Sequence, residues 1–187
     1  MKVKDIAMMT VCLSILIIAS KISISIGIIA ITLQTFAVAL IPYILKWKRS
    51  AIVFITYILM GLIGIPVFSN GGGFYYVLKP SFGFILGFLA SLFITGSPIL
   101  KNKKIANLFK GLLGLLVLDI IGLVYMYFIL KYYMNNDTVT ISYILEVGFL
   151  PFIIKDTISV VLAWVISLRL QPVLDNMTSY DNSLIHE

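Results

Sequence analysis

The sequence predicts an all-α integral membrane protein, a bundle of six transmembrane helices with both termini inside. Three observations predict it: an apolar excess, long unbroken apolar runs and one-sided placement of basic residues. Of 187 residues, 60% are hydrophobic and 12% charged, and the mean hydropathy is +1.07. Soluble domains run at about 45–50% apolar and about 25% charged. A chain of this length has too little interior to hide the difference. A soluble enzyme, a nucleic-acid binder and a disordered regulator are excluded.

Lipid admits only helices and closed barrels, because backbone polar groups must be satisfied internally. A barrel would alternate polarity over segments of about ten residues, whereas the apolar runs here are long and continuous. The spans are therefore helical. At about 20 residues per crossing, they fall at 6–22, 31–45, 51–68, 81–99, 111–131 and 145–169. Lys2 and Lys4 before the first run resemble a signal peptide, but Ile17-Ile18-Ala19 lacks the small-residue cleavage pattern, so a retained helix is expected. Between the first two spans, Ile22-Ser23-Ile24-Ser25-Ile26-Gly27 reads as a loop dipping back into the protein.

Orientation follows from the basic residues. With the N-terminus inside, ten of the fourteen lie on the cytoplasmic side: Lys2, Lys4, Lys46, Lys48, Arg49, Lys101, Lys103, Lys104, Lys110 and Arg169. Lys21, Lys79, Lys131 and Lys155 lie outside or within a span. Residues 1–170 thus form the membrane domain, and 171–187 a polar cytoplasmic tail expected to be exposed. No internal repeat stands out.

Chemistry by the chain itself finds no support. HExxH, GxSxG and a Walker lysine are all missing from the sequence. Cys12 is a lone cysteine in an apolar run, and His186 a solvated tail residue. Gly71-Gly72-Gly73 reads as a flexible outer loop rather than a phosphate cradle. No enzyme, cofactor or metal site is expected, and any ATP is hydrolysed by a partner chain.

Ionisable residues within the membrane are the informative ones, since a charge there costs about 2.5–3.5 kcal/mol even on lenient scales. Asp156 lies about 13 Å into the sixth span from its outer end. It reads as a solute contact, with an interhelical ion pair or hydrogen bond as the alternative. Neighbouring Lys155 points about 100° away around the helix, so no face-to-face pair is expected. Ser159 can share a face with either. Asp119 in the fifth span fits a ligand contact or a bundle-locking hydrogen bond equally well. Gln34, beside Thr32, brings an amide able to read a cyclic urea or to tie helices together. The stretch Gly64 to Tyr76 holds Phe68, Asn70, four glycines and Tyr75, and Lys79-Pro80-Ser81 opens the next helix. Apolar rings with a few placed polar groups are what a binding pocket needs.

These residues carry a resemblance. Thr32-Leu33-Gln34-Thr35-Phe36 is similar to the TLQTF element of the BioY family, the biotin-binding S components of energy-coupling factor transporters. Gly61-Leu62-Ile63-Gly64-Ile65-Pro66-Val67-Phe68 resembles its GLxGxPVF stretch. Pro80, Ser81, Gly83, Phe84, Gly87 and Phe88 fall on its PTGGYxxGF pattern, and Pro151-Phe152 with Asp156 on its PF-x-x-G-D element. The resemblance implies an S-component-like bundle that binds biotin from outside. It implies Asp156 on the ureido ring, helped by Asn70 and Gln34, with Tyr75 and Phe68 in the covering loop. It also implies partners: a transmembrane coupling protein and two ATPase subunits, in a prokaryotic inner membrane. Small residues on the first helix, Ala7, Thr10 and Ser14, would meet the coupling protein; packing within the bundle is the alternative.

The sequence departs from the family where Lys155 and Ser159 replace a usual Gly and Lys, and Ala30 a frequent Pro. A clamp on the ligand carboxylate would then fall to Lys79 or Lys155. An S component for another small vitamin, or a structural subunit, is the alternative function.

Overall fold

The computed structural model describes residues 3–26, 29–97 and 104–183, with side chains to residue 174 save those of 25 and 26. Lys2, Gly27, Lys101, Lys103 and His186 lie outside the described residues. Among the described residues six helices dominate: α1 (Val3–Lys21), α2 (Gln34–Leu62), α3 (Phe82–Thr95), α4 (Lys104–Phe128), α5 (Ile141–Gly148) and α6 (Leu150–Ser183). A π turn, Ile129–Tyr133, extends α4, and a 3-10 turn, Phe74–Leu78, precedes α3.

The segment expected to be a re-entrant loop is instead a β-hairpin. Strands β1 (Ser23–Ile26) and β2 (Ile29–Thr32) pair antiparallel, with Ser23 opposite Thr32. The alternation of Ile and Ser is the two-residue period of a strand, and pairing satisfies the backbone without water. β2 takes the first residues of the expected second span, so α2 begins only at Gln34.

α2 covers two expected spans and breaks between them at Lys46, whose φ of 62° and ψ of 179° are not helical. Ser50 Oγ donates to the Lys46 carbonyl at 2.7 Å, compensating one group freed by the break. Both halves, 34–45 and 47–62, are shorter than the roughly 20 residues of a full crossing, and so is α3. Among the described residues, three helical segments are long and apolar enough to cross a bilayer: Val3–Lys21, Lys104–Tyr133 and Leu150–Leu174. The six expected spans thus correspond to three full-length helices and three shorter apolar ones. The expected sixth span divides at Phe149 into α5 and α6, and α6 continues as helix through the polar segment to Ser183.

Exposed apolar stripes mark the lipid-facing surfaces of a membrane protein. Leu113, Leu116, Ile120 and Val124 form one on α4, and Ile154, Ile158, Leu162 and Val165 another on α6. Inside, α1 packs on α2 through Met9, Cys12, Leu16 and Ala19. α3 lies so close along α4 that a Cβ on Gly87 would sit 2.8 Å from the Leu118 carbonyl oxygen. Small residues permit that approach in a bundle held by packing rather than by water exclusion. At the end of the bundle carrying the Lys46 break, Arg49 pairs with Asp5 at 2.8 Å and Trp164 Nε1 donates to the Lys104 carbonyl at 2.9 Å. The candidate site lies at the opposite end.

Candidate functional site

Beneath the hairpin a cleft opens with about 580 Å3 of atom-free space, its mouth included. Ile29, Ala30 and Thr32 come from β2, and Gln34 and Thr35 from the start of α2. Ser69, Tyr76 and Ser81 come from the segment between α2 and α3. Phe84, Ile85, Phe88 and Leu118 line it from α3 and α4, and Phe152, Lys155 and Asp156 from α6.

Asp156 is 5% exposed. Its Oδ1 accepts no hydrogen bond and faces the Lys155 ammonium as an ion pair without hydrogen-bond geometry. This corrects the expectation that these neighbours do not pair. Their Cα–Cβ bonds do diverge, but the four-methylene lysine stem curls back across that angle. Lys155 Nζ also donates to the Thr32 carbonyl at 2.8 Å and reaches Thr35 Oγ1 at 3.4 Å. One lysine therefore ties α6 to the junction of β2 with α2. Ser159 is buried, and its Oγ donates to the Lys155 carbonyl at 2.8 Å rather than lining the cleft. Asp119 is buried on α4, near enough to Asp156 and Lys155 to feel both charges.

Gln34 lines the cleft and starts a chain of bonds away from it. Its Nε2 donates to Tyr57 Oη at 2.8 Å, and Tyr57 Oη donates to the Val67 carbonyl at 3.2 Å. That carbonyl also accepts from Ser20 Oγ at the end of α1, while Lys21 Nζ donates to the Phe68 carbonyl at 2.6 Å. The glycine-rich segment expected to be flexible is pinned as well. Phe68 and Gly71 exchange backbone bonds, and Gly73 N–H donates to the Gly61 carbonyl at 2.7 Å.

Gln34, Lys155 and Asp156 thus share the cleft wall. Phe68 is fully buried behind it, its ring centroid 4.5 Å from that of Tyr76. Asn70 and Tyr75 are exposed beyond the lining residues. Lys79 Nζ lies over the Tyr75 and Tyr76 rings at 5.1 and 4.7 Å and donates to the Asn70 carbonyl at 3.4 Å. Thr35, Ser69, Tyr76, Ser81, Phe84 and Phe152 also line the cleft; each lay beside a residue or within a motif singled out from sequence. Among the described residues no cluster of three His, Cys, Asp or Glu could hold a metal ion.

Ala7, Thr10 and Ser14 are all exposed on α1, away from its packed face. Thr10 Oγ1 and Ser14 Oγ each bond the carbonyl four residues earlier, both at 3.0 Å, so the outward face presents small groups with satisfied hydroxyls. Packing within the bundle does not account for them.

The sequence pattern of the BioY family matches residues 1–176. The chain is 34% identical over 160 residues to the biotin transporter BioY of Thermotoga maritima, covering 84% of this chain and 90% of that one. It is 33% identical over 170 residues to the biotin transporter BioY2 of Lactococcus lactis, covering 89% and 90%. A solved structure, the S-component for biotin from an ECF-type ABC transporter, superposes with a TM-score of 0.79 at 26% identity, covering 91% of this chain and 92% of that one. These relatives are transport proteins, not enzymes. With a family-wide match and a cleft built from the motif residues, the chain belongs to the BioY family.

Proposed function

We propose that this protein captures biotin from the outer face of a prokaryotic inner membrane and carries it inward as the S component of an ATP-driven energy-coupling transporter. The observation that carries the proposal is Asp156, a buried carboxylate on the wall of a largely apolar cleft, set against the Lys155 ammonium. An ionised carboxylate only accepts, and the ureido ring offers two N–H donors. Gln34 adds an amide to the same wall, and Phe84, Phe88 and Phe152 supply cover for the apolar ring. The six apolar segments cross the membrane with both termini inside, the short ones crossing where hairpin and loop fill the remaining depth. Coupling to a transmembrane protein and two ATPase subunits runs through the exposed small-residue face of α1 at Ala7, Thr10 and Ser14. The protein needs no cofactor of its own, since capture and reorientation involve no covalent step.

Uptake of labelled biotin by cells lacking their own transporter tests this. Cells carrying the protein with an energy-coupling module should accumulate biotin, and Asp156→Asn should abolish the gain. Equal uptake by wild type and Asp156→Asn would favour a structural subunit. A second reading, capture of another small vitamin in the same cleft, is favoured by Ser159, whose hydroxyl is turned to the backbone where the family carries a lysine.

A further inference from the structure

The cleft has a charged group of residues and a neutral one. Lys155 is the sole cation among its described lining residues, and its ammonium is already engaged, paired with Asp156 Oδ1 and donating to the Thr32 carbonyl and Thr35 Oγ1. Engaged in this way, it is placed to orient the Asp156 carboxylate. Lys79 is engaged at the rim, over two aromatic rings. The remaining polar lining away from the lysine, Ser69 and Tyr76 (hydroxyls 3.2 Å apart) with Ser81, is neutral. Hydroxyls both donate and accept, so they serve a carboxylate and a carboxamide alike.

Resting on the biotin reading, we propose that the cleft recognises the cyclic urea head alone. Lys155 is then a positioning residue for Asp156, and amide-tailed biotin binds as well as the free acid. A cation clamping the carboxylate would discriminate against the amide by about tenfold or more, since hydrogen bonds to charged groups are the strong ones.

Calorimetry on detergent-purified protein with biotin and biotinamide tests this, using wild type, Lys155→Arg, Lys155→Met and Lys79→Ala. The expected result is affinities within about fivefold of each other for wild type, below the discrimination a charged clamp gives. Lys155→Met should weaken both ligands by the same factor, Lys155→Arg should restore both, and Lys79→Ala should leave the ratio unchanged. Biotinamide binding wild type more weakly than that limit overturns the proposal. So does selective loss of biotin in Lys155→Met or Lys79→Ala. If Lys155→Met does not fold, the wild-type ratio alone decides. Failure of wild type to bind biotin at all is a different outcome and removes the biotin reading itself.

Discussion

The Lys155 ammonium lies against Oδ1 of Asp156, its neighbour in sequence, and at the same time donates to the Thr32 carbonyl at 2.8 Å. Two consecutive residues of α6 thereby present a fixed carboxylate to the cleft and fasten the helix to the hairpin above it. Removing one partner of a buried pair costs about 3–5 kcal/mol, because the other charge is left unpaired. The fastening is a property of this chain's own Lys155, which stands where the family usually has glycine.

Tyr57 links the cleft to the loop beyond it. Tyr57→Phe deprives the buried Gln34 amide of its acceptor, while the Val67 carbonyl keeps the Ser20 donor. Stability should fall by about 1–2 kcal/mol, measured as chemical unfolding in detergent. A variant as stable as wild type would show that the Gln34–Tyr57 bond is not maintained.

Lys46 holds a backbone conformation, φ 62° with ψ 179°, that suits glycine. Such strain costs of order 1–3 kcal/mol, only partly offset by the greater freedom of glycine in the unfolded chain. Lys46→Gly should therefore raise stability by about 1 kcal/mol in the same measurement. A lower midpoint would contradict the break at this residue.

Gly87 marks the closest approach of α3 to α4, where any Cβ meets the Leu118 backbone. Gly87→Leu should destabilise by about 2–3 kcal/mol or prevent a monodisperse preparation, as overpacking does elsewhere. Tolerance of leucine there would mean that the two helices pack less tightly.

Much of this was legible in the sequence. The apolar runs and their order appear as helices, and the glycine-rich segment after α2 does form a loop beside the cleft. Gln34 and Asp156 were visible as polar residues in apolar surroundings, and both line the cleft. What sequence did not convey is three-dimensional closure. A one-face rule separates Lys155 from Asp156, but a flexible lysine stem overrides it. The Ile-Ser alternation carried a strand period that the surrounding apolar runs masked. Asn70, attractive as an amide among glycines, extends to the exposed rim, while the less conspicuous Ser69 beside it lines the cleft.

The proposed topology makes a prediction of its own. Lys48 and Asn70 are both exposed and flank opposite ends of the second half of α2. In a Cys12→Ala background, a membrane-impermeant maleimide applied to intact cells should label Asn70→Cys and spare Lys48→Cys. The reverse pattern would invert the bundle, and labelling of both would refute a crossing by residues 47–62.

The most direct test is calorimetric titration of biotin into the purified protein, beside Asp156→Asn and with desthiobiotin as a second ligand. Saturable binding by wild type is expected, with desthiobiotin retained because it keeps the cyclic urea. Asp156→Asn should weaken both by about tenfold or more. A folded wild-type preparation that gives no binding heat with biotin, or an Asp156→Asn variant that binds as tightly as wild type, would contradict the assignment of this cleft.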